Sequence, residues 1–92
     1  MLLPLANLRR LVRWYTGEDV CTSPRRSAVV QRHAWYLFAR AAREMSPPYA
    51  HEEIAKEIGL PASTLWDLLR QPFPEEVWLR FVRHVVAAAK ER

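Results

Sequence analysis

The chain has 92 residues, half of them apolar and ten aromatic, which is enough for one modest core and too few for two domains. Fourteen basic residues, twelve of them arginine, stand against ten acidic ones, and a net charge of +4 permits an anionic partner without requiring one. A lone cysteine, Cys21, excludes an internal disulfide, and the glycine pair Gly17 and Gly59 excludes a glycine-rich phosphate loop.

The opening MLLPLANLRR lacks a basic lead before its apolar stretch, so no signal peptide is expected. The first helix is expected over 4–16. Leu5, Leu8, Val12 and Tyr15 recur at three- and four-residue steps, with Arg9, Arg10 and Arg13 on the other side. Gly17 is the natural stop. After a short loop, Ser23-Pro24 offers a cap and a first-turn proline for a long second helix over 24–45. Its inner face is expected to hold Val30, Ala34, Leu37, Ala41 and Met45, widened by Val29, Phe38 and Ala42. Arg25, Arg32, Tyr36, Arg40 and Arg43 fall in one outer stripe. The run Ala34–Ala39 is the longest unbroken apolar stretch, far short of the roughly 20 residues a membrane span needs.

Ser46-Pro47-Pro48 breaks the chain. A short third helix is expected over 50–58, with Ile54, Ala55 and Ile58 inward. Gly59-Leu60 makes a tight turn, and Pro61 opens a fourth helix over 62–70, with Leu65, Leu68 and Leu69 inward. Gln71-Pro72-Phe73-Pro74 breaks the chain again. A fifth helix is expected over 74–90, with Glu75 and Glu76 in its first turn, where the helix dipole favours negative charge. Its apolar stripe is Val77, Phe81, Val82, Val85 and Ala89. No alternating pattern argues for a sheet, so the fold class is an all-α, five-helix orthogonal bundle.

The most specific segment is HEEIAKEIGLPASTLWDLLR, residues 51–70, which reads as a helix-turn-helix. Ala55 is small where the two helices cross, Gly59 sits at the turn, and Leu65 locks the second helix into the core. Any two short packed helices can imitate the pattern. With the run from Leu8 to Arg40, it resembles the C-terminal DNA-binding domain of the bacterial replication initiator DnaA. Leu11-Val12-Arg13-Trp14-Tyr15 stands for that family's lead-in helix and Pro24-Arg25-Arg26 for its basic loop. Ala34-Trp35-Tyr36-Leu37 stands for its core segment, and Glu53-Ile54-Ala55 for the start of its helix-turn-helix. The resemblance implies a stand-alone, TrpR-like DNA-binding module of prokaryotic or phage type. It does not imply nucleotide binding, since it covers only the DNA-binding domain. The family's Asp-His-Thr/Ser-Thr-Val run is replaced by Pro61-Ala62-Ser63-Thr64-Leu65. Two hydroxyls survive and the aspartate and histidine do not, so the initiator's own box is not the expected target. The long helix and Pro-Pro loop together are also several residues longer than the family's.

Charge is uneven along the chain. Residues 1–45 hold eight arginines against three acidic residues, whereas residues 46–70 hold two basic residues against four acidic ones. The expected phosphate contacts are Arg25, Arg26, Arg32 and Arg40, while Ser63, Thr64, Trp66, Asp67 and Arg70 face the major groove. There Arg70 suits guanine, Asp67 cytosine N4 and Trp66 a thymine methyl. Arg9, Arg10 and Arg13 read better as a solvated face. Trp66 could instead anchor a protein partner, or pack beside Phe73. A protein-interaction module binding the transcription or replication machinery, or its own copy through helix five, is therefore the alternative.

No catalytic constellation stands out. His51-Glu52-Glu53-Ile54-Ala55 lacks the second histidine of a zinc-protease motif, and His33, His51, His84 and Cys21 lack ligand spacing. The expected protein is a cytoplasmic non-enzyme without metal or cofactor, whose partner is duplex DNA.

Overall fold

The computed structural model describes residues 3–17 and 28–90, the side chains of 28–31 and 89 excepted. Among the described residues the secondary structure is all helical: α1 Leu5–Thr16, α2 Ala28–Arg43, α3 His51–Ile58, α4 Ala62–Arg70 and α5 Glu75–Lys90. The Cα radius of gyration is 12.3 Å, against about 12 Å for a compact chain of this length.

The helix boundaries follow local chemistry. Gly17, at φ +76°, ends α1 and its N–H bonds the Arg13 carbonyl at 2.8 Å. Gly59, at φ +75°, does the same for α3, and the Leu60 N–H bonds the Ala55 carbonyl at 3.0 Å. Pro61 and Pro74 precede α4 and α5, and their carbonyls accept from Leu65 and Trp78, both at 3.2 Å. The expected opening of α2 at Ser23-Pro24 lies outside the described residues. Its far end falls at Arg43 rather than Met45, because the chain turns there: the Ala42 carbonyl accepts from Met45 at 3.4 Å and from Tyr49 at 3.2 Å.

Helix α2 is the centre of the bundle and packs against each of the other four. Ala34, Tyr36, Leu37, Phe38, Ala39, Ala41 and Ala42 are all buried, so this helix is covered nearly all round. Leu8, Leu11 and Val12 of α1, Ile54, Ala55 and Ile58 of α3, Leu65 and Leu68 of α4, and Trp78, Phe81 and Val85 of α5 complete the core. Two expectations need correcting. Tyr36 does not join an outer arginine stripe. It is 8% exposed, because Phe73 of the 71–74 connection stacks on its ring at 4.1 Å and 13°. Trp78, left out of the expected α5 stripe, is buried beneath the Arg40 guanidinium, which lies 4.2 Å above its ring.

The α3–α4 turn gives a direct test of the backbone argument. A Cβ added at Gly59 would meet no atom within 4 Å, so an alanine there suffers only the left-handed backbone conformation. Gly59→Ala is expected to cost about 1–2 kcal/mol, which for a domain of this size lowers the thermal midpoint by roughly 4–16 °C. Calorimetry of the variant checks this, and an unchanged midpoint would count against the left-handed turn.

Candidate nucleic-acid interface

Helix α4 turns Leu65 and Leu68 into the core and leaves Ser63, Thr64, Trp66, Asp67 and Arg70 exposed. At 100° per residue, Ser63, Asp67 and Arg70 (i, i+4, i+7) form the ridge opposite the buried leucines. Thr64 and Trp66 lie on the two flanks. The first turn of α4 contains no acidic residue, and Pro61 before it supplies no side-chain cap. The leading N–H groups of α4 are therefore compatible with an anion at that end.

Trp66 is placed otherwise than expected. It does not pack beside Phe73; its indole stacks on the His51 imidazole of α3, with ring centres 3.7 Å apart and planes 11° from parallel. Its outer part remains open, at 47% exposure. The stack joins the start of α3 to the middle of α4 and fixes the indole's attitude. In the sequence His51 stands out only in an incomplete zinc-protease motif, because its fifteen residues of separation from Trp66 mean nothing until the turn at Gly59 closes the pair.

Burial holds the His51 imidazole below its ordinary pKa, helped by nearby Arg43 and opposed by Glu52. The unfolded chain takes up this proton near pH 6.5, the folded chain only at a lower pH. The unfolded state thus binds more protons in that window, and the stability present above it is lost as pH falls through it. Thermal midpoints should therefore drop between pH 7.5 and 5 by more in the native protein than in His51→Gln, the pH values being chosen about the ordinary histidine range. Parallel pH profiles would refute the assignment to His51.

Among the described residues the arginines do not form one surface. Arg25 and Arg26 lie outside the described residues. Arg32 is exposed at a recess of about 210 Å³ that it shares with Leu68 and Gln71, beside the end of α4. Arg40 is turned to internal work. Besides lying over Trp78, it contacts the Tyr36 hydroxyl at 3.4 Å, Glu75 at 3.5 Å and Glu44 at 3.7 Å. Its guanidinium braces α5 against α2, which leaves it poorly placed to clamp a phosphate. Arg43 donates to the Tyr49 carbonyl at 2.8 Å, and the Tyr49 hydroxyl to the Leu3 carbonyl at 2.7 Å. These bonds pin the 46–50 connection to both ends of its surroundings.

Among the described residues no group of three or more His, Cys, Asp or Glu side chains is placed to hold a metal ion, and no helix is long and apolar enough to cross a membrane. No family model, curated protein or solved structure matches the chain.

Proposed function

We propose that this protein is a duplex DNA-binding regulator in which α3 and α4 form a helix-turn-helix on a scaffold similar to the DnaA C-terminal domain. The observation that carries the reading is the outer face of α4, where five side chains with hydrogen-bonding or apolar tips stand clear of the core on a short, firmly seated helix. Nine residues at 1.5 Å each make α4 about 13 Å long, a length suited to a major groove about 12 Å wide. Arg32 of α2, beside the end of α4, with Arg25 and Arg26 preceding it in sequence, would hold phosphates and set the register, while the α4 ridge would read base edges.

The test is a titration of random and selected duplexes against salt. Affinity should fall with a log–log slope of about −0.9 per phosphate neutralised. The triple variant Arg25→Ala, Arg26→Ala, Arg32→Ala should flatten that slope by about 2.7. Absence of binding near 50 mM salt, where such contacts are strong, would end the DNA reading.

One observation favours a protein-binding reading instead. On α5, Leu79 and Val86 are exposed, and Val86 borders an apolar groove of about 150 Å³ between α5 and the end of α2. If that face binds a partner or a second copy, Leu79→Asp with Val86→Asp should abolish the association in sedimentation or pull-down experiments while leaving duplex binding intact.

A further inference from the structure

From the outer face of α1 we infer a second nucleic-acid site, separate from α4, that takes an unpaired strand by stacking a base on Trp14 and holding its phosphates with Arg10 and Arg13. Trp14 is 76% exposed, the most open of the large apolar side chains among the described residues. Helix α1 contributes nothing acidic to this face: its sequence is LANLRRLVRWYT. Going around the helix, Arg13, Arg10 and Trp14 follow one another in that order, with Arg10 one turn before the indole. Arg9, Arg10 and Arg13 line a groove of about 180 Å³ with Ala6 and a single carboxylate, Glu57 of α3. That carboxylate is engaged with Arg9 at 3.5 Å. Among the described residues neither Arg10 nor Arg13 has an ion-pair or side-chain hydrogen-bond partner, and both exposed guanidinium groups lie on the same face of α1 as the open indole.

The chemistry selects the occupant. A duplex offers its phosphates to arginine but keeps its base faces stacked, so the indole would gain nothing from it. An unpaired strand presents both groups, and arginine-lined grooves interleaved with aromatics are the usual solution for it. A membrane surface is a poorer match, because the apolar side of α1 is spent on the core through Leu8, Leu11 and Val12 and only one large apolar group faces out. Helix α1 packs on α2 and α5, and its arginines share their groove with Glu57 of α3, whereas the stack is made by His51 and Trp66, so the two sites have no residue in common. Strand and duplex sites are therefore separable by mutation.

The experiment measures fluorescence anisotropy of a labelled oligothymidylate of about 16 nucleotides, with a duplex and a polyglutamate peptide as comparators. Trp14→Ala should weaken strand binding by about 5- to 150-fold with an unchanged salt slope. Arg10→Ala with Arg13→Ala should reduce the slope by about 1.4, and Trp14→Phe should retain most of the affinity. Duplex binding should survive Trp14→Ala, and strand binding should survive Arg70→Ala. Because all three α1 side chains are exposed, helical content by circular dichroism should stay constant. No strand binding, or strand binding indifferent to Trp14→Ala, overturns the site. Polyglutamate bound as tightly as the strand, with the same dependence on Trp14, would reassign it to an acidic protein surface.

Discussion

Replacing Phe38 by alanine is expected to destabilise the protein by about 3–5 kcal/mol. Phe38 is fully buried at the middle of α2, the helix against which every other element packs. Its ring is among the largest side chains with no exposure, and truncation would leave a void on the central helix. A domain of this length has only about 5–14 kcal/mol of stability in total, so the loss would take a large fraction of it. Urea unfolding of Phe38→Ala and Phe38→Leu should show a large and a small drop in midpoint at nearly constant slope. A Phe38→Ala loss near that of an exposed change such as Trp14→Ala, expected within about 0.5 kcal/mol, would contradict a core centred on α2.

The same helix marks where sequence periodicity stopped being informative. Helices α1, α3, α4 and α5 each show one polar and one apolar side, and their spacing located them within a residue or so of their observed ends. On α2 the relevant signal was the unbroken run Ala34–Ala39, useful on its own only to exclude a membrane span. Set among four neighbours, it is the signature of a helix covered nearly all round, which is why Ala39 and Tyr36 lie inside despite their positions on the helical wheel. Tyr36 was misplaced because its cover comes from Phe73, thirty-seven residues on, in a connection whose two prolines read only as a break. Trp78 was missed for a related reason: its face is sealed by a cation from another helix, and helix periodicity contains no information about that.

Charge was legible in amount and not in use. The arginines of the second helix suggest a docking stripe, and Arg9, Arg10 and Arg13 a solvated face; the fold divides both sets. Arg9 is tied to Glu57, Arg40 to Glu44 and Glu75, and Arg43 to a backbone carbonyl. Of the described first-half arginines, Arg32 beside α4 and the Arg10–Arg13 pair on α1 remain open, two places rather than one. The residues proposed to touch bases suffered less, because α4 is amphipathic and its exposed set follows directly from where Leu65 and Leu68 must go.

Arg70→Ala is expected to weaken binding to a selected duplex by about 5- to 150-fold while changing the thermal midpoint little. Arg70 is exposed at the last turn of α4, on the ridge it shares with Ser63 and Asp67, and no acidic partner among the described residues competes for it. Its charge also suits the helix C-terminus, so the free protein can present it outward without penalty. A guanidinium in that position can meet guanine O6 and N7 with two parallel hydrogen bonds, which a neutral side chain cannot replace. Lysine keeps the charge but loses the fork, so Arg70→Lys should recover part of the affinity and little of the discrimination. The competing role, a plain phosphate contact, has a different signature. It would weaken selected and random duplexes alike and reduce the salt slope by about 0.9, and Arg70→Lys would restore binding. Competition assays with single-base variants of the selected site decide between them: base reading requires that Arg70→Ala erase the preference at one position and leave the others unchanged.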